Sequence, residues 1–551
     1  MFMTRKTGFK SKSNTLRITA AASLALSLCL PTIAQAATPT QQIRILAEPV
    51  RDIATKVGAV VQWNQSLRTV TLVKGNNTLI LTIGKAEALF NGKSKDVGGV
   101  VRVESGRAYA PSDRLIEWFK ENNKTETPYS SDPADLFMKQ LQDGNGSKAT
   151  EYMSPALKKA APEQAISVMW KQFTQAFGTA STEPIKQENS NSVHRNVTYS
   201  FKTDRIPYDL TLRLNAQNEV DDFRIVPASP LAYQKPAYEH TDAYTEKEVT
   251  IGEGELALPG TLTTPAGQGP FPAVVLVHGS GPSDRDESVG GAKPLRDLAV
   301  GLANKGIAVL RYDKVTYEHT MKVNADPKFN IKKETVDDAI SAVNLLTKTQ
   351  NIDSTRIFVA GHSQGGYAMP LIIDADKQKH IAGTILLAGP SSKFIDVAIE
   401  QTNEVMQRVK ELGQDPTPYE PLLQTWTSVA KLLNDPQYSV DKLPANFPMP
   451  PAYWWYEQKN YKPTDLAKTQ TGPMLVLQGE NDYQVPIQEY EAWKKELKDR
   501  KDVEFKSYPK VTHLLTEYDG ISTGAEYAMP ANVSPTLIDD IANWVNKNTK
   551  K

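Results

Sequence analysis

Apolar positions along the chain change their spacing several times, and each change marks a different kind of element. Between residues 43 and 119 they alternate in short runs, Val60-Val61-Gln62-Trp63, Thr69-Val70-Thr71-Leu72-Val73 and Leu79-Ile80-Leu81-Thr82-Ile83, with turn residues at Gly75-Asn76-Asn77 and Asn91-Gly92. Period-two alternation broken by such turns predicts a small strand-rich domain over 41–122. A joint, Pro128-Tyr129-Ser130-Ser131-Asp132-Pro133, leads into amphipathic helical stretches at 134–142 and 162–177 and then strand-like runs at 197–201, 208–214 and 220–226. Helices followed by strands predict a small α+β domain over 131–228. After a linker holding Pro227, Pro230 and Pro236, apolar runs at 273–277, 307–310, 356–360, 384–387 and 474–477 alternate with helical segments such as 293–304 and 334–346. That alternation predicts a parallel α/β sheet over 244–551. Between 389 and 468 it stops. Helical sequence carrying Trp426, Phe447, Tyr453, Trp454, Trp455 and Tyr456 predicts a cap at about 391–468, above the strand ends where such sheets bind ligands. Most of those aromatics are expected to form the cap's own core, and one or two to line a pocket.

The first 36 residues fit none of these patterns. Arg5, Lys6, Lys10, Lys12 and Arg17 precede an apolar stretch at 18–30 and then Ala34-Gln35-Ala36, which reads as an export signal cleaved after Ala36 and predicts a secreted or envelope-associated protein. The stretch is short for a membrane span. Leu28 before Cys29 is too large for a lipidation signal. Cleavage would remove the chain's one cysteine, leaving no disulfides and no thiolate zinc ligands. It would also turn a balance of 63 basic against 63 acidic residues into a net charge of about −5. With no basic patch, nucleic acid is not an expected partner. At 551 residues the chain exceeds one hydrophobic core and implies three or four units. With 40% hydrophobic and 23% charged residues, it is neither disordered nor multi-spanning in composition.

Candidate chemistry centres on Gly-x-Ser-x-Gly, which occurs at 361–365 and again at 520–524. A nucleophile elbow needs a buried strand, a tight turn and a helix. The first copy follows Arg356-Ile357-Phe358-Val359-Ala360 and precedes a helical stretch at 366–373 that Pro370 limits or kinks. The second follows the polar Thr516-Glu517-Tyr518-Asp519 and is expected to be a surface loop. Ser363 is therefore the candidate nucleophile. A serine needs a base and an orienting carboxylate, which this motif takes in the order serine, acid, histidine. Of His194, His240, His278, His319, His362, His380 and His513, only His513 follows an acid candidate and stands outside another motif. That acid is Asp482, after the strand-like 474–477, with Glu480 as the neighbouring alternative. Oxyanion donors are expected at the Gln364 amide and at Ser280, or alternatively Gly281, in His278-Gly279-Ser280-Gly281-Pro282. His278 is expected to shape that loop by hydrogen bonding. The run Asp284-Arg285-Asp286-Glu287 is either a solvated loop or a network holding the oxyanion loop. This chemistry requires no cofactor and no metal.

Three resemblances extend the reading. Glu48-Pro49-Val50-Arg51-Asp52-Ile53-Ala54, Gly58-Ala59-Val60-Val61-Gln62-Trp63, Asn91-Gly92-Lys93 and Gly106-Arg107-Ala108-Tyr109-Ala110-Pro111 resemble the stalk-like domain named after the copper amine oxidase N-terminus. That resemblance implies an accessory module whose partner is a cell-envelope component. The segment holds no His and no Cys, so no copper site is expected. The second domain is similar to cystatin- or NTF2-like domains upstream of secreted hydrolases, and no chemistry is read there. Finally, His278-Gly279-Ser280-Gly281-Pro282, Asp284-Arg285-Asp286-Glu287, Lys293-Pro294, Asp297-Leu298-Ala299, the run 306–314 and Gly361-His362-Ser363-Gln364-Gly365-Gly366 resemble α/β-hydrolase carboxylesterases near the dienelactone-hydrolase branch. The match covers about 246–551 and implies cleavage of short-chain carboxylic esters through an acyl-enzyme on Ser363. True dienelactone hydrolases carry a cysteine there, which Ser363 argues against. Acyl transfer and thioester or peptide hydrolysis by the same triad stay open, as does a non-catalytic envelope-binding protein.

Overall fold

A computed structural model of the chain describes residues 47–64, 68–74, 77–104, 106–121, 131–180, 183–228 and 233–548. The expected export signal lies outside them. The chain divides into two units, one of Ile33–Ser131 and one that contains Asp132–Lys551. Among the described residues no helix is long and apolar enough to cross a membrane.

In the first unit, Val60–Asn64, Thr69–Lys74, Asn77–Thr82, Glu87–Phe90 and Lys93–Asp96 form an antiparallel meander in chain order. The last hairpin closes through Asn91 and Gly92, whose φ values of 50° and 77° are those a two-residue turn of matching twist requires. Leu72, Leu79, Leu81 and Phe90 share a core with Ile53, Leu115 and Phe119. Those last three lie on helices Val50–Val57 and Ser112–Glu121, which the strand alternation does not predict.

The second unit begins with helices Pro133–Gln142, Pro155–Ala160 and Glu163–Phe177. They pack on an antiparallel sheet ordered Val220–Pro227, Tyr208–Leu214, Arg195–Phe201, Ile185–Ser190. Phe137, Met138, Leu141, Leu157 and Ile166 meet Val197, Leu210, Leu212 and Phe223 in its core. The edge strand Ile185–Ser190 is exposed along its whole length, so it carries no apolar alternation by which to find it.

The main sheet has eight strands: β1 (Tyr244–Ile251), β2 (Leu258–Pro265), β3 (Phe271–Val277), β4 (Ala308–Tyr312), β5 (Ile352–His362), β6 (Ile381–Leu387), β7 (Met474–Gly479) and β8 (Val503–Tyr508). Their order is β1-β2-β4-β3-β5-β6-β7-β8, antiparallel at β1 and β2 and parallel from β4 onward. Strands buried on both faces need apolar residues at every position. Thus Val275, Val277, Ile357 and Val359 enter the core on one face, and Val274, Leu276, Phe358 and Ala360 the core on the other. Between β6 and β7 the helices Phe394–Glu411, Glu420–Asn434, Ala452–Gln458 and Pro463–Ala467 form the cap. The fold is an α/β-hydrolase with a helical cap.

Candidate active site

β5 carries its hydrogen bonds up to His362, after which Ser363 turns the chain at φ 52°, ψ −115° into the helix Gln364–Tyr367. A serine held at positive φ is strained, and the surroundings must enforce it. They do so by close backbone packing. A Cβ on Gly361 would lie 2.4 Å from the Gly365 carbonyl, and one on Gly365 would lie 2.6 Å from the Val277 carbonyl oxygen. The helix then breaks at Ala368 and restarts as Met369–Ala375, with Pro370 in its first turn. Being first in its helix, the Gln364 amide has no intrahelical acceptor.

β7 ends two residues before Asn481, and the following Asp482 is fully buried. Its Oδ1 accepts from the Gln484 and Val485 amides at 2.7 and 2.9 Å. Its Oδ2 accepts from Gln478 Nε2 at 3.1 Å and from His513 Nδ1 at 2.8 Å. Four hydrogen bonds keep this carboxylate in place and aim it at one imidazole. Glu480, by contrast, is exposed and accepts from Ser507 Oγ at 2.7 Å, so the geometry separates the two acids. Among the described residues the Ser363 hydroxyl has no hydrogen-bond partner. Catalytic serine–histidine contacts are commonly long without substrate and shorten when it binds.

A second histidine lies beside the first. His362 Nδ1–H donates to Glu287 Oε2, and its Nε2–H donates to the backbone carbonyl of His513, both at 2.8 Å; the two imidazole centroids are 4.7 Å apart. The other oxygen of Glu287 accepts from the Gly279 amide at 2.6 Å. One buried carboxylate, on a residue itself strained at φ 53°, thus ties the loop after β3 to the elbow and, through His362, to the loop carrying His513. Burial alone would raise the Glu287 carboxyl, but the adjacent His362 and the Gly279 amide hold it down at about 2. Burial likewise opposes charge on His362, and Glu287 prevails and raises it. With its amide engaged, Gly279 is unavailable as an oxyanion donor. Ser280 borders the same pocket as Ser363, and Gly281 sits at φ 84° with its carbonyl accepting from Thr316 Oγ1 at 3.3 Å.

The rest of the charged run is also engaged. Arg285 binds Asp313, Glu248 and Thr261, and Asp286 accepts from Arg311 and Lys293, so the network reading describes it and the solvated-loop reading does not. Lys314, after β4, is buried and donates to the Gly279 carbonyl and to Gln364 Oε1, each at 2.8 Å, while pairing with Glu334 Oε1 at 2.8 Å. Glu334 Oε2 accepts from Trp454 Nε1 of the cap at 2.7 Å. Glu334 lies on a π-helical turn, Lys332–Val336, a local irregularity that recurs at functional sites.

His278 is engaged as expected: backbone hydrogen bonds with Asp284, in the loop, and with Tyr312 hold its ring, while Nε2 is buried without a partner, the ring packs edge-on against Tyr312, and burial pushes its pKa down to about 4. The second Gly-x-Ser-x-Gly is not the surface loop expected along its whole length. Ser522 is fully buried and donates to Glu526, which closes the turn on itself and leaves no nucleophile presented. As for the cap aromatics, Trp426, Phe447, Trp454, Trp455 and Tyr456 pack edge-on or tilted against one another and against Phe394. The pocket at Ser363 is lined instead by Pro390, Phe394, Val397, Ala398, Gln401 and Val485.

Strand order, elbow and cap define the class as an α/β-hydrolase. Within it, residues 269–519 match the profile of the family described as serine aminopeptidase, S33, and residues 38–127 that of the copper amine oxidase N-terminal domain. The chain belongs to the same family as the Esterase EstD of Thermotoga maritima, to which it is 31% identical over 417 residues, 75% of this chain and 94% of that one. Solved structures that it resembles include Est1E from Butyrivibrio proteoclasticus, 16% identical at a TM-score of 0.36 over 55% of this chain and 98% of that one. A puromycin-hydrolyzing peptidase of Mycobacterium tuberculosis is 17% identical at a TM-score of 0.36 over 66% of this chain and 47% of that one.

Proposed function

We propose that the protein is a serine carboxylesterase in which Ser363 attacks the ester carbonyl, His513 takes and returns the proton and Asp482 orients the imidazole. The observation that carries this is the 2.8 Å hydrogen bond from His513 Nδ1–H to a buried, four-fold bonded Asp482, beside a serine held at positive φ. That bond fixes the tautomer whose Nε2 can accept the serine proton. The Gln364 amide and that of Ser280, with Gly281 as the alternative, receive the oxyanion; collapse expels the alcohol, and water then releases the acyl group from Ser363. The small apolar pocket formed by Phe394, Val397, Ala398 and Val485 suits a short acyl chain. No metal enters this sequence of steps.

The esterase relative, matched over 94% of its length, supports an ester substrate. The serine aminopeptidase profile over residues 269–519 supports the second reading, peptide hydrolysis by the same triad. Fluorophosphonate labelling of wild type and Ser363→Ala, with esters, thioesters and peptides assayed side by side, decides between them. Labelling that survives Ser363→Ala sinks the assignment, and peptide turnover without ester turnover promotes the peptidase. Export is part of the same proposal: the mature protein should begin at Ala37, and an intact N-terminus on the secreted or envelope fraction would refute it.

A further inference from the structure

A second cluster of imidazole and carboxylate groups, which the reaction above does not use, lies between the small α+β domain and the hydrolase sheet. His194 immediately precedes the strand Arg195–Phe201, Asp221 lies on Val220–Pro227, and His319 stands between the short helices Val315–Glu318 and Thr320–Asn324 that follow β4. All three are buried, and one donor atom of each lies within 4.8 Å of the other two; no other such trio of His, Cys, Asp or Glu occurs among the described residues. The two imidazole rings meet edge to face, 5.4 Å apart.

Surrounding hydrogen bonds decide which atom of each residue faces inward. His194 Nδ1–H donates to Glu318 Oε1 at 2.7 Å, which leaves Nε2 toward Asp221 Oδ2 at 3.1 Å. Asp221 Oδ1 accepts from Ser154 Oγ at 2.6 Å, so Oδ2, which takes the His194 and Lys322 contacts, is the oxygen that faces the cluster. His319 Nε2–H donates to the Ala257 carbonyl at 2.8 Å, and its Nδ1 is buried with no hydrogen-bond partner. A buried polar atom left without a partner in an otherwise paired cluster calls for a ligand. In metal centres a ligating imidazole holds its other N–H on a carboxylate or a backbone carbonyl, which fixes the ring and its tautomer. Both rings here are held that way, one on Glu318 and one on Ala257.

We infer that His194 Nε2, His319 Nδ1 and Asp221 Oδ2 form a binding site for a divalent cation of the zinc class, which pins the small domain to the hydrolase domain. Two imidazoles and one carboxylate are a zinc donor set, with water completing four-coordination. Metal–ligand bonds of 2.0–2.1 Å place such ligands about 3.4 Å apart, so side-chain adjustments of about 1 Å bring the three together. Lys322 Nζ, 2.5 Å from Asp221 Oδ2 and 2.9 Å from the Glu255 carbonyl, is the competing cation. On zinc entry the proton on His194 Nε2 is released to solvent, and Lys322 retains the Glu255 carbonyl. The segment bearing His319 begins at Lys314, which holds Gly279 and Gln364. The cation therefore sits at the far end of the same short stretch that steadies the oxyanion loop.

The test uses the full chain, stripped with a chelator and titrated with Zn2+, reading bound metal by plasma mass spectrometry and the thermal midpoint. One zinc per chain is expected, with a midpoint that rises on the order of 5 °C at a hundredfold excess over Kd. His319→Gln and Asp221→Asn should lose both effects. Co2+ in place of Zn2+ should give the visible absorption of a four-coordinate site in wild type and not in His319→Gln. Lys322→Met, which leaves all three ligands and removes their competitor, should bind zinc at least as tightly as wild type. A folded Lys322→Met chain that retains no zinc overturns the assignment even if the ligand variants fail to fold, as does a His319→Gln chain that binds zinc like wild type.

Discussion

Two histidine–carboxylate pairs stand side by side at the mouth of the sheet, chemically alike and employed differently. His513–Asp482 and His362–Glu287 are both buried, and each is joined at 2.8 Å. What separates them is the second ring nitrogen. His362 gives its Nε2–H to the His513 carbonyl, whereas no hydrogen bond from a described residue reaches His513 Nε2. An imidazole committed at both nitrogens is a strut, and one committed at a single nitrogen can exchange protons. The pair that holds is thus built against the pair proposed to react, and the carboxylate of the strut also grips the Gly279 amide.

The sharpest way to break the comparison is to disable each carboxylate in turn. Asp482→Asn should lower kcat by about 10⁴, because the wrong tautomer is then favoured at His513. Glu287→Gln should cost roughly 10- to 100-fold in kcat with little change in KM, since it displaces the loops of His513 and Gly279 without touching substrate. Equal losses in the two variants would erase the distinction. Glu287→Gln also has a pH signature. The Glu287 pKa is lowered from 4.5 to about 2, so its stabilisation is present above 4.5 and fades as pH falls toward 2. The His362 pKa is raised from 6.5, so its contribution is present below 6.5 and is lost as pH rises through the higher value. The difference in unfolding free energy between wild type and Glu287→Gln should therefore peak between about pH 4.5 and 6.5; a difference that does not vary with pH would contradict the ion pair. Arg285→Ala, one layer further out, should reduce turnover only a few-fold and soften the loop, seen as faster hydrogen exchange around Gly279. Ser522→Ala should leave ester turnover and fluorophosphonate labelling unchanged, and any loss of labelling would reopen the second Gly-x-Ser-x-Gly.

Where the sequence was informative, it was so for a physical reason. Doubly buried parallel strands need uninterrupted apolar runs, and the elbow needs Gly361 and Gly365 beside Ser363, so strand ends and candidate nucleophile are written locally. Asp482 and His513 are then reached by order along the chain, and the structure joins them. Glu287 could not be singled out, because its partners Gly279 and His362 are separated by most of a hundred residues and an acid in a charged run looks solvated. Lys314 and Glu334 are hidden by the same prior, since buried charges are rare and only pairing in space reveals them. In the second domain, His194 and Asp221 looked inert because their third member, His319, comes from the next domain. Ile185–Ser190 left no trace because an exposed edge strand has no apolar face.

The contact between Lys314, Glu334 and Trp454 has a consequence for anyone who would exchange the cap to change what the enzyme accepts. Trp454 caps one oxygen of Glu334 while Lys314 neutralises the other, and the same ammonium carries Gln364 and Gly279. A transplanted cap without an indole donor at that point would leave a buried carboxylate short of a partner two steps from Ser363. Cap swaps should therefore keep residues 452–458 with the body of the enzyme and cut on either side of them, treating this helix as part of the chassis.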